Sequence, residues 1–155
     1  MELWGDPAVM ALIDARGKLT AAQVEERLRA EIGRERSDGV QYWALFDRRD
    51  GAFVGCCGLR RWVYTPEDVN FELGFHIVKR CWGQGFATEA ARGALDYGWQ
   101  ELRLAKVYAG HHPDNRASRH ILETLGFSFL DNLFYPPTGL LHPSYVCERP
   151  ERAGF

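Results

Sequence analysis

The sequence predicts an α/β fold, a mixed sheet flanked by helices, in a single domain spanning residues 1–155. Three observations carry that expectation. Segments of helical and of strand period follow one another in the order α, α, β, β, β, α, β, α, β, β. The length of 155 residues, with 46% hydrophobic residues that include five tryptophans, six tyrosines and nine phenylalanines, suits one substantial core. Between a strand and a helix in mid-chain stand two glycines, Gly83 and Gly85, one residue apart.

The elements follow in order. Residues 6–14 form a first helical fragment, ending near Gly17. Thr20 with Gln23 makes a capping box, and Val24, Leu28 and Ile32 then recur every four residues, so a helix is expected over 21–34. Strands are expected from Val40 and from Ala52, joined by a hairpin turn at Arg49-Asp50-Gly51. Pro66 and two acids make 63–70 a loop, and 71–78 the third strand. The helix after the glycine pair covers 86–102, where Ala87, Ala91, Ala94 and Gly98 permit close packing on a sheet. A strand from Lys106 precedes a helix stopped by Gly126. Short strands at 128–133 and 144–148 close the chain, with a Pro/Gly-rich loop from Tyr135 between them that is long enough to border a pocket.

Composition excludes several functions. Nineteen basic residues against 21 acidic ones give a formal net charge of −2, unlike a nucleic-acid-binding module. Cys56 and Cys57 are adjacent and no second pair stands at metal-site spacing, so the four cysteines are expected to be reduced packing residues. His111 and His112 would face opposite ways on a continued strand, which argues against a metal. No apolar run is long enough to span a membrane and no signal peptide is evident, so a cytoplasmic location is expected.

The segment Arg80 to Ala90, RCWGQGFATEA, carries the most chemistry. Glycines at 83 and 85 let the backbone turn tightly and bring N–H groups close to a ligand. A helix starting there adds unpaired N–H groups and a favourable field for an anion, which together make a pyrophosphate cradle. A plain turn is the competing reading. No Lys-Ser/Thr pair follows, which excludes a Walker A loop, and the third glycine of a dinucleotide fingerprint is missing.

In order along the chain stand Glu72-Leu73-Gly74, then Arg80-x-x-Gly83-x-Gly85 with Trp82 and Ala87-Thr88-Glu89-Ala90, then Asn115-Arg116-Ala117-Ser118 before Leu125-Gly126-Phe127. With these motifs the chain resembles the GNAT superfamily of N-acetyltransferases, and within it the RimJ/RimL-like ribosomal-protein branch. The resemblance covers nearly the whole chain. It implies the acyl-CoA N-acyltransferase fold with a mostly antiparallel sheet, acetyl-CoA as acyl donor, and no metal. It also implies that the donor's phosphates lie on the turn at Cys81, Gly83, Gln84, Gly85, Phe86 and Ala87, where Arg80 either braces the turn or meets phosphate. Pantetheine would run along Phe75, His76, Ile77 and Val78 in the manner of an added strand, which requires that strand to splay from 106–110. Asn115 would stand beside the thioester, although it also reads as a helix N-cap. Ser118, about one helical turn later, would donate a proton to the leaving thiolate, or be a small packing residue. Glu72 is the candidate base, taking a proton directly or through water, with ammonium binding and simple solvation as its alternatives.

Two departures from the family pattern stand out. Where many members of the superfamily carry a tyrosine acid, four residues before Gly126, this chain has Leu122, which donates nothing. Relatives also begin with a strand and most of a helix ahead of the Asp-Pro-x-Val-Met segment, whereas this sequence opens at Trp4-Gly5-Asp6-Pro7-Ala8-Val9-Met10. The expectation is a domain short of its N-terminal strand, with an uncovered sheet edge that favours a homodimer. An α-amine, with a pKa near 8 against about 10.4 for lysine, needs less help to lose its proton. The expected reaction is therefore acetyl transfer from acetyl-CoA to a primary amine, first a protein or peptide N-terminus. The alternatives are a small amine (polyamine, amino acid or aminoglycoside) or non-catalytic acyl-CoA binding.

Overall fold

The computed structural model describes residues 1–65 and 68–150. Six strands form one sheet in the order β1-β2-β3-β4-β6-β5, from β1 (Tyr42–Phe46), β2 (Phe53–Thr65), β3 (Asp68–Ile77), β4 (Lys106–Gly110), β5 (Ser128–Tyr135) and β6 (Leu140–Glu148). All neighbours are antiparallel except β3 and β4. Among the described residues four α-helices accompany the sheet: α1 (Pro7–Met10), α2 (Ala21–Asp38), α3 (Phe86–Gln100) and α4 (Arg116–Thr124). This is the mixed, mostly antiparallel α/β architecture expected.

Two cores lie on opposite faces of the sheet. One gathers Leu59, Leu73, Val107 and Leu122 with Ala91, Ala94 and Leu95 of α3. The other joins Leu3, Trp4, Val9 and Met10 to Val24 of α2 and to Tyr42. The period-two alternation of β2 sends adjacent cysteines to different sides, Cys57 into the first core and Cys56 into the second. Both thiols are free and buried, and burial pushes Cys56 up to about 12. Fully burying a Leu or Val side chain contributes roughly 1.5–3 kcal/mol, so the layers around Leu59 and Leu73 anchor the centre of the sheet. Small residues bring α3 close: a Cβ at Gly98 would stand 3.2 Å from the Leu59 side chain.

Four expectations are corrected. The first helix stops at Met10, where turns lead to Asp14 and the Ala15 amide bonds the Pro137 carbonyl at 2.9 Å. α2 continues to Asp38, because the left-handed residue that ends it is Gly39 (φ 71°). Its apolar stripe is not its buried face. Leu28 and Ile32 are exposed, whereas Val24, Arg27 and Glu31 turn inward. Residues 63–70 are not a loop on their described backbone, since Val63 pairs Val69 and Thr65 pairs Asp68, extending the β2–β3 hairpin; positions 66 and 67 lie outside the described residues. The Pro/Gly-rich loop from Tyr135 is a tight turn, and β6 already begins at Leu140. Pro143 is tolerated in that strand because β4 pairing ends at Gly110↔Ser144, one residue short of it.

Candidate active site

The parallel pair β3–β4 meets at a single register position, Glu72↔Tyr108. Beyond it the strands separate. Gly74, Phe75 and His76 line one wall of the resulting cavity and Ala109, Gly110 and His111 the other, around about 370 Å³. On their far sides both strands stay fully paired, β3 with β2 and β4 with β6, so the opening is held by the sheet itself. Glu72 therefore stands where the cleft begins. Asn115 and Ser118, from the start of α4, line the same cavity. Gly74 has a steric reason to be glycine: a Cβ there would collide with the Tyr42 hydroxyl.

Asn115 caps α4, its Oδ1 accepting from the Ser118 amide at 3.0 Å. That bond fixes Ser118 one turn into the cavity wall. Among the described residues the Ser118 hydroxyl makes no hydrogen bond. Leu122 lies deeper on the same helix, buried, and lends the cavity only carbon.

The glycine turn lies outside this cavity, past the C-terminal end of β3. Gly83 (φ 71°) and Gly85 (φ 84°) both occupy the left-handed region, and Gly85 ends the turn as the N-cap of α3 without a capping side chain. The first intrahelical bond is Glu89 N–H to the Gly85 carbonyl (3.0 Å), which leaves the Phe86, Ala87 and Thr88 amides at the open helix end. Gln84 is used locally, its side-chain amide donating to the Arg80 carbonyl at 2.8 Å. Such an end suits phosphate oxygens, and a splayed strand pair suits pantetheine, so the residues present fit a CoA thioester.

Four of the residues expected to hold the donor have main-chain or side-chain groups committed elsewhere. The Val78 amide donates to Val54 (2.9 Å), and its carbonyl accepts from Cys81 N–H (2.9 Å), so neither Val78 nor Cys81 offers its N–H outward. The Ile77 carbonyl accepts from the Trp82 indole at 2.8 Å. Arg80 braces the turn, with one guanidinium nitrogen on Glu2 (2.8 Å) and another on the Phe53 carbonyl (2.5 Å). Past the Glu72↔Tyr108 pairing, the open edge of β3 thus narrows to the main-chain groups of Phe75, because the His76 carbonyl faces β2 and His76 meets the cavity with its side chain.

Electrostatics single out the closed end of the cavity. Burial raises the Glu72 pKa above the ordinary carboxylate range, opposed by the nearby Arg60 guanidinium. Arg60 sits directly across the β2–β3 ladder from Glu72, lies 3.8 Å over the Tyr42 ring and pairs with Glu31. Glu31 is buried and also accepts from Arg34 and the Tyr42 amide, both at 3.0 Å. His76 Nδ1 accepts from the Trp4 indole at 3.0 Å, which leaves its proton on Nε2. Burial, with Arg27 and Arg60 nearby, holds His76 well below its usual value. His142 is lowered to about 4 by burial and by His112 and His111, so both rings are neutral at pH 7.

Arg27, Tyr42, Arg60, Tyr135 and His142 also line the cavity, and sequence reasoning had not assigned them to the site. One signal was available. Treating 63–70 as a hairpin would have set Arg60 opposite Glu72 by counting residues. Arg27 gave no comparable sign. Among the described residues no cluster of three or more His, Cys, Asp or Glu is placed to hold a metal, and no helix is long and apolar enough to cross a membrane.

Comparison with known proteins agrees with this geometry. The acetyltransferase (GNAT) domain profile matches residues 1–128. YkkB of Bacillus subtilis is 34% identical over 131 residues, covering 82% of this chain and 72% of that protein. The spermidine N(1)-acetyltransferase of Escherichia coli is 42% identical over 97 residues, covering 59% of this chain and 52% of that enzyme. A GNAT-family acetyltransferase from Bacillus anthracis shares the fold, with a TM-score of 0.73 at 22% identity over 94% of this chain and 82% of that one. Splayed strand pair, open helix end and profile agree: the chain belongs to the GNAT family of N-acetyltransferases, enzymes that take their acetyl group from acetyl-CoA.

Proposed function

We propose that this enzyme acetylates the α-amino group of a protein or peptide N-terminus, as a member of the RimJ/RimL-like branch. The observation that supports the reading is the single pairing of β3 with β4 at Glu72↔Tyr108, which leaves Glu72 in the wall of the cleft where the strands begin to separate. Acetyl-CoA supplies an activated acyl group. Glu72 removes the proton from the incoming ammonium, directly or through a water, so that the amine lone pair attacks the thioester carbonyl. The C–S bond then breaks, and the Ser118 hydroxyl gives the departing sulfur a proton that the new amide nitrogen loses. The free main-chain groups of Phe75 align pantetheine with the His76 side chain beside it, Asn115 holds Ser118 in place, and Gly83, Gln84, Gly85, Phe86 and Ala87 receive phosphate.

A cytoplasmic location agrees with the free cysteines. A homodimer is our expectation for the assembly, with β1 at one sheet edge and Leu28 and Ile32 exposed on α2. The similarity to a spermidine acetyltransferase favours a second reading, a polyamine acceptor. Thiol release from acetyl-CoA, followed with free-amine peptides, N-terminally blocked peptides and spermidine, decides between them. Turnover with the free peptides alone supports the first reading and turnover with spermidine alone the second. Binding of acetyl-CoA without turnover on any amine would sink both.

A further inference from the structure

We infer that the acceptor carries a carboxylate close to its amine, and that Arg27 and Arg60 form the subsite for it. The inference rests on the acetyltransferase reading and names the substrate class of the same cavity.

Arg27 comes from the inward face of α2 and is half-buried at the cavity wall, its guanidinium 4.4 Å over the Trp4 ring. Among the described residues it has neither a hydrogen-bond acceptor nor an ion-pair partner. A guanidinium carries five N–H donors, and withdrawing them from water without acceptors is unfavourable. Beside it, the buried Nε of Arg60 also lacks an acceptor.

The acids nearby are already engaged. Glu31 serves Arg34, Arg60 and the Tyr42 amide. Asp14 is buried but clamped by Arg16, with contacts of 2.9, 3.1 and 2.6 Å. Glu72 faces Arg60 across the ladder and is the proposed base. The neutral imidazoles of His76 and His142 offset no charge. The cavity therefore presents the unmet donors of the Arg27 guanidinium, with Arg60 beside it in the same wall, and two carboxylate oxygens satisfy such a guanidinium in a planar fork. A polyamine would bring further ammonium groups to two arginines with no free acid to receive them. An amine bearing a carboxylate gives its ammonium to Glu72 and its carboxylate to the arginines.

The test uses the full chain saturated with CoA for binding, and with acetyl-CoA for turnover. Acceptors come in pairs that differ by one charge: alanine against alaninamide for an α-carboxylate, and Asp-Ala-Ala-amide against Asn-Ala-Ala-amide for a side-chain carboxylate. In at least one pair the acid should bind, and show its KM, at least ~10-fold more favourably; the pair with the larger ratio identifies which carboxylate is read. The preference should collapse in Arg27→Met and partly return in Arg27→Lys, with melting curves confirming that each variant is folded. Equal binding within both pairs, binding of neither member, or an unchanged preference in folded Arg27→Met would overturn the inference. Acid-selective binding without turnover would uphold the subsite while sinking the peptide-acetylation reading. Turnover without acid preference would do the reverse.

Discussion

A carboxyl group enclosed beside an arginine is pulled two ways, and at Glu72 burial wins over Arg60. Two expectations follow at this position. The rising acid limb of kcat/KM against pH should lie above the ordinary carboxylate value of about 4.3, and Glu72→Gln should remove that limb and lower kcat/KM roughly 10²- to 10⁴-fold. Stability should move the opposite way. A carboxyl whose folded pKa is raised resists ionisation in the folded state, so its destabilising effect is complete above that pKa and absent below the unfolded value. Glu72→Gln should therefore raise the melting midpoint at pH 7, and the gain should vanish by about pH 4. Ser118→Ala should lower kcat while acetyl-CoA binding holds, since its amide still reaches Asn115. That Glu72, Asn115 and Ser118 line one cavity was legible from the sequence because each lies in a short motif, Glu72 before Leu73-Gly74 on a strand and the other two at a helix start. Arg27 and Arg60 were not. An arginine in an amphipathic helix or a hairpin reads as solvated until a distant group is folded against it, Trp4 against Arg27 and Glu31 against Arg60.

Among the elements, α2 shows why periodicity identified the helix but not its orientation. Thr20, Gln23 and the capping bonds define where it starts, at 2.9 and 3.3 Å. Which face turns inward was decided by partners on β1 and β2 that local sequence does not contain. Glu31 joins α2 to the Tyr42 amide and to Arg60, so Glu31→Ala, leaving a buried guanidinium short of its partner, should destabilise the fold by about 3–5 kcal/mol in a urea titration. The glycine turn was legible for the opposite reason: a left-handed backbone at Gly83 and Gly85 is a local demand. A Cβ at Gly85 meets nothing within 4 Å, so Gly85→Ala strains only φ, by roughly 1–2 kcal/mol. Its clearest effect should be a higher KM for acetyl-CoA with the KM for the acceptor unchanged. The two hairpins were obscured by prolines. Pro66, outside the described residues, and Pro143 suggested loops, but β2 and β3 pair as far as Thr65↔Asp68 and β5 pairs with β6 through Pro143 itself.

At the scale of the molecule, the cavity is assembled from segments remote in sequence. Leu12 and Ile13 follow α1, Arg27 comes from α2, Glu72 from β3, Ser118 from α4 and Tyr135 from the end of β5. The order of elements and the splayed strand pair could be expected from motif order; the chemistry of the far wall could not, because it depends on how the N-terminal segment meets the β5–β6 turn through Ala15 and Pro137. A ligand bridging such segments stabilises all of them, so acetyl-CoA at 100 times its Kd should add about 2.7 kcal/mol to the unfolding free energy and raise the melting midpoint. Light scattering should return twice the chain mass if the exposed edge and the Leu28–Ile32 face mediate a dimer. We propose that Glu72, where the paired strands begin to separate, activates an amine for attack on acetyl-CoA. The most direct measurement is thiol release with a free-amine peptide by wild type and Glu72→Gln, alongside calorimetric titration of both with acetyl-CoA. Donor affinity should be equal in the two proteins and turnover should collapse in the variant. Equal turnover by the two proteins would contradict it.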